Sequence, residues 1–126
     1  MMDENPKSLR EQSWPKRFAV AARGIKVAVC TEATLPVHLF AAAVVLLAAW
    51  VLQFSRFDWC LLILSIGTVL AAELFNTALE HLAQAVTQEE NPHIRNALDI
   101  ASGAVLTTVL TAATLGIIVF GSHIYN

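Results

Sequence analysis

The chain has 126 residues, of which 56% are hydrophobic and 14% charged, and it carries a formal net charge of −2 at pH 7. An ordinary soluble domain holds about 25% charged residues, so this balance, with a mean hydropathy of +0.60, excludes a soluble globular domain and reads as one membrane domain. Cys30 and Cys60 fall in separate segments, which suggests neither a disulfide framework nor a zinc site.

Residues 1–14 form a polar N-terminal tail with Pro6 and no periodicity, ahead of a single membrane domain over 15–126. The net charge conceals a basic N-terminal segment, since Lys7, Arg10, Lys16, Arg17, Arg23 and Lys26 all precede residue 27. By the positive-inside rule this places the N-terminus in the cytoplasm. The segment is too short and too interrupted by Ala and Val for a nucleic-acid partner; an anionic lipid surface or the phosphates of a nucleotide suits it better. Over about 15–31, Phe18, Ala21, Ala22, Ile25, Ala28 and Val29 recur at helical spacing while Lys16, Arg23 and Lys26 share another face. That pattern predicts an amphipathic surface helix in the membrane interface.

Three apolar stretches follow, at about 36–54, 59–83 and 92–120. Each is long enough to cross a bilayer, for which about 20 residues suffice. Pro36 suits a first helical turn, and Glu32 just before it is an acid at the membrane surface. His38 reads as a snorkelling or hydrogen-bonded residue rather than a metal ligand, because no second His or Cys accompanies it. Ser55-Arg56-Phe57-Asp58 is a tight connection on the far side, flanked by Trp50 and Trp59. Asn91-Pro92 is an N-cap followed by Pro at the first helical position. The last helix carries Arg95 and Asp99 before turning apolar, with Ala97, Ala101, Ser102, Gly103 and Thr107 as a small-residue surface for close packing.

The second span ends in Ala71-Ala72-Glu73-Leu74-Phe75-Asn76-Thr77-Ala78-Leu79-Glu80. Glu73, Asn76, Thr77 and Glu80 stand at i, i+3, i+4 and i+7, so a helix places them on one face. An ionisable residue inside an apolar span marks a functional site by default. The bland alternative, interhelical hydrogen-bond glue, suits one Asn better than two acids with an Asn between them. Glu73 lies about 21 Å of helical rise from Trp59, with Glu80 about 10 Å further on. Reversal of the chain at each turn then gathers Glu32, Glu73, Asn76, Glu80 and Asp99 at one side of the membrane. Oxygen ligands without His or Cys suit Mg²⁺ rather than zinc. A deep carboxylate suits a general base that takes a proton from an alcohol. No P-loop, kinase catalytic loop or Ser-His-Asp set is present.

Ala72-Glu73-Leu74-Phe75-Asn76-Thr77-Ala78-Leu79-Glu80, with Asp99-Ile100-Ala101-Ser102-Gly103-Ala104-Val105 downstream, resembles the signature of the small prokaryotic integral membrane diacylglycerol kinase and undecaprenol kinase family. The resemblance covers roughly residues 15–120, including Gly24-Ile25 and Glu32. It implies an all-α integral membrane fold, with a surface helix and three transmembrane helices in a homotrimer with shared active sites in a bacterial cytoplasmic (inner) membrane. It also implies ATP with Mg²⁺ as donor and a lipid alcohol as acceptor, with diacylglycerol first and undecaprenol second. By position, Glu73 resembles the general base and Asn76 its neighbour, Glu32 and Glu80 the Mg²⁺ carboxylates, and Asp99 an acid that helps hold the nucleotide. Two positions depart from the family pattern, with Leu98 where Lys is usual and Gln84 where Asp is usual. Arg95, Lys26 and Arg23 are the cations available in place of that Lys near the transferring phosphates. The rival readings are a non-catalytic membrane assembly protein with a decayed kinase site and an ion or proton pathway along the Glu73 and Glu80 face.

Overall fold

The computed structural model describes residues 13–126, so the expected polar tail lies outside the described residues up to residue 12, Lys7 and Arg10 included. Four helices follow one another: α1 (Trp14–Thr31), α2 (Thr34–Val51), α3 (Arg56–Val86) and α4 (Pro92–Tyr125). The last three are each long and apolar enough to cross a membrane.

The helix ends differ from the expected spans for local reasons. The second helix begins two residues before Pro36, which occupies the first turn where its missing N–H leaves no bond unmade. It stops at Val51 rather than 54 because Gln53 adopts φ 54° and turns the chain. Gln53 N donates to Trp50 O at 3.2 Å and Phe54 N to Ala49 O at 3.1 Å, so the turn satisfies carbonyls that the helix end would leave open. Ser55 then caps α3, its Oγ accepting from Asp58 N at 3.2 Å, and this draws the helix start back from 59 to Arg56. At the other end α3 continues to Val86 through Glu80, His81 and Gln84, since polarity alone does not end a helix. Asn91 caps α4 as its sequence predicts, with Oδ1 accepting from His93 N at 2.9 Å and Ile94 N at 3.4 Å. The last helix runs past 120 to Tyr125.

Most contacts between helices join α3 to α4, with α2 against α3 next and α1 touching both α2 and α3. The buried hydrophobic cluster sits at the end of the bundle remote from α1 and consists of Ala49, Phe54, Leu62 and Val119, flanked by Trp59, Ile66 and Phe120. Phe54 packs there against Phe120 and the His123 ring, with centroids 4.7 and 4.4 Å away. Elsewhere the helices present apolar side chains outward, among them Phe40, Leu64, Phe75 and Ile117. In water such a surface would aggregate; in a bilayer the acyl chains cover it. Phe18 and Ile25 on α1 are exposed too, and Ala28 is its one buried residue. Cys30 and Cys60 are free and exposed.

Candidate active site

The polar face of α3 lies at the α1 end of the bundle. Glu73 is only 5% exposed, the most deeply placed acid among the described residues, and Thr77 one turn on is 4% exposed. Two side chains of α2 converge on Glu73. His38 Nε2 lies 2.9 Å from Oε1, and Thr34 Oγ1 donates to Oε2 at 3.4 Å. Thr34 and His38 are one turn apart, so one face of α2 addresses both carboxylate oxygens.

Sequence reasoning placed Glu73 on the polar face but did not assign His38 as its partner. The signal was available in the turn. His38 lies 17 residues before Ser55 and Glu73 18 after it, and in two antiparallel helices equal counts from the turn bring residues level. At the far end of the bundle Asp58 and His123 stand 3.5 Å apart.

Further along α3, Asn76 Nδ2 donates to Glu80 Oε1 at 2.9 Å. Asn76 Oδ1 is buried without a hydrogen-bond partner in the described residues, and an orphaned buried acceptor is uncommon. With the half-buried Glu80 carboxylate it makes an oxygen-rich edge of the kind a hard divalent cation takes. Among the described residues no three His, Cys, Asp or Glu side chains stand close enough to hold a metal by themselves. Mg²⁺ is ordinarily held by one or two carboxylates together with phosphates and water, and such a site needs no cluster of that size.

The other expected residues stand apart within one chain. Glu32 closes α1, its backbone N–H donating to Ala28 O at 3.0 Å. Asp99 is exposed on α4, about 10 Å from the start of that helix and so near the level of Glu80, which is about 9 Å from the end of α3. No hydrogen bond or ion pair among the described residues joins Glu32 or Asp99 to Glu73, Asn76 or Glu80. Arg95 Nη2 pairs with Glu90 Oε2 at 3.0 Å, both well exposed; exposed pairs are worth about 0–1 kcal/mol, so Arg95 is readily released. Arg23 borders a cavity of about 720 Å³ between α1 and α3, with Thr77 and His81 on its other wall, and neither Arg23 nor Lys26 forms an ion pair among the described residues. Thr31 Oγ1 and His81 Nε2, 3.4 Å apart, link α1 to α3 beside this cavity.

A second cavity of about 480 Å³ runs along the bundle between α2, α3 and α4. Its lining is apolar except for His38 and Ser65, and the small residues Ala41, Ala42, Ala112 and Gly116 give it room. His38 therefore faces both the apolar groove and the Glu73 carboxylate.

Comparison with known proteins agrees with this architecture. Residues 19–120 match the family described as prokaryotic diacylglycerol kinase. The chain is 33% identical over 105 residues to an undecaprenol kinase of Bacillus subtilis, covering 83% of this chain and 85% of that one. It is 31% identical over 117 residues to a diacylglycerol kinase of Synechocystis sp., covering 87% of this chain and 67% of the other. Three membrane-length helices and these matches define a helical membrane lipid kinase, a phosphotransferase with a lipid acceptor. The resemblance carried by residues 72–80 and 99–105 lies wholly inside the matched region. The chain belongs to the prokaryotic diacylglycerol kinase family.

Proposed function

We propose that this chain transfers the γ-phosphoryl group of ATP, as its Mg²⁺ complex, to the hydroxyl of a membrane lipid alcohol, working as a homotrimer in a bacterial inner membrane with its N-terminus in the cytoplasm. The observation that carries the reading is Glu73, a carboxylate 5% exposed at the meeting of α2 and α3 within the family match. As the acceptor oxygen attacks the γ-phosphorus in line, Glu73 takes its proton. The O–H bond breaks, an O–P bond forms, and the bond from the γ-phosphorus to its bridging oxygen breaks, leaving the electron pair on ADP. Glu32 and Glu80 are the residues that would hold Mg²⁺, which when bound neutralises phosphate charge. Asn76 fixes Glu80 by its hydrogen bond. Asp99, with Arg95, Arg23 and Lys26 as the available cations, addresses the nucleotide.

Diacylglycerol is the leading acceptor in the sequence reading and matches the family description. Undecaprenol is the second reading, favoured by the wider mutual coverage with the Bacillus subtilis relative, 83% and 85% against 87% and 67%. Purified protein incubated with radiolabelled ATP and each lipid in turn decides between them. Label in neither lipid would reject the kinase reading and restore the non-catalytic assembly protein.

A further inference from the structure

We infer that His38 is a positioning residue for the carboxylate of Glu73, donating Nε2–H to Oε1 so that Oε2 is the oxygen that receives the acceptor's proton. The inference rests on the reading of Glu73 as general base. Three observations carry it. The His38 to Glu73 distance of 2.9 Å is the shorter of the two polar contacts that α2 makes with the Glu73 carboxylate and lies within good hydrogen-bond range. The Thr34 contact on Oε2 is longer, at 3.4 Å, near the limit at which such a bond holds, so Oε2 is the less engaged oxygen. The imidazole also borders the 480 Å³ apolar groove and retains 26% side-chain exposure against 6% for Glu73. A hydroxyl arriving on an apolar chain along that groove meets His38 and the carboxylate it holds together.

Plain interhelical glue would need a bond between α2 and α3 but no particular oxygen of Glu73 to be left free. Here two donors one turn apart on α2 take the two oxygens unequally, which fixes the plane of the carboxylate and leaves one lone-pair set toward the reacting centre. A base displaced by about 1 Å loses on the order of 100-fold in rate. Because the effect lies in geometry at the chemical step, it falls on kcat and leaves the KM for ATP and lipid nearly unchanged.

The test compares full-length wild type with H38L, H38N, H38Q and E73Q in detergent micelles, with radiolabelled ATP and either dioleoylglycerol or undecaprenol, whichever wild type turns over. Thermal unfolding and size-exclusion profiles are recorded for each variant. Leu keeps the bulk without a donor, Asn keeps a donor that falls short of Glu73, and Gln places an amide N–H near the position of Nε2. The expected result is a kcat loss of about 10- to 100-fold in H38L and H38N, KM values within about threefold of wild type, and recovery in H38Q to within about fivefold. Where H38L fails to assemble, H38N against H38Q carries the same comparison. Wild-type kcat in H38N or H38L alongside an inactive E73Q overturns the inference and leaves the base assignment standing. Equal losses in H38Q and H38N overturn it as well, since the donor would then not be what matters. An active E73Q removes the base assignment, and the inference with it.

Discussion

Two His–carboxylate pairs sit at opposite ends of the bundle, and they differ in spacing, in surroundings and in what else engages the carboxylate. At the α1 end, His38 and Glu73 meet at 2.9 Å beside an open apolar groove, and neither oxygen of Glu73 serves a helix end. At the other end, His123 and Asp58 stand 3.5 Å apart, and the Asp58 carboxylate is already engaged by Ser55 Oγ at 2.7 Å. The His123 ring lies against Phe54 in the packed cluster, and Nδ1 is 3.0 Å from Val119 O. The far pair closes a helix start and a hydrophobic cluster, so its polar groups are consumed by structure. The near pair leaves capacity unused, with the orphaned Asn76 Oδ1 one turn away. Unspent hydrogen-bonding capacity in a buried setting distinguishes the α1 end, where we propose the chemistry, from the far end.

That contrast breaks most sharply at the two acids. E73Q should lower phosphoryl transfer by about 100- to 10,000-fold, the range a general base contributes, while D58N should keep kcat within about twofold; a comparable rate loss in both would erase the distinction. Next in size, Phe54→Ala should cost about 3 kcal/mol of stability through the cavity it leaves, read by reversible unfolding in mixed micelles. Its kcat in the folded fraction should stay near wild type. Ser55→Ala removes the α3 cap and should cost about 1 kcal/mol, with no change in Mg²⁺ or ATP requirement. The smallest effect is expected for His123→Gln, about 0.6 kcal/mol, the average for polar contacts between membrane helices. A rate loss in that variant would show that the far end also reaches the chemistry.

How much of this the sequence carried follows from range. Apolar length marks three membrane-crossing stretches, and the Asn91-Pro92 start of α4 is written in two adjacent residues, so both were legible. The true ends of α2 and α3 depend on Gln53 adopting a left-handed backbone and on Ser55 turning its hydroxyl to Asp58 N, choices that hydropathy does not register. The shared face of Glu73, Asn76 and Glu80 is local to one helix and follows from a 3.6-residue period. The meeting of His38 with Glu73 needs the register between two helices, which that period does not hold and the turn position does. The pairing of Arg95 with Glu90 was likewise invisible, since it depends on how the short loop folds back onto the first turn of α4.

The contacts of Glu73 with His38 and Thr34 all lie within one chain, and this has a genetic consequence for an assembly of copies. On the proposed role of Glu73, a lesion at Glu73 on one copy and a lesion at His38 on another spoil two sites, whereas both lesions on the same copy spoil one. Mixed assemblies of wild-type and doubly substituted chains should therefore outperform mixtures of two singly substituted chains. The bond across the α2–α3 hairpin makes the two residues a single unit of complementation.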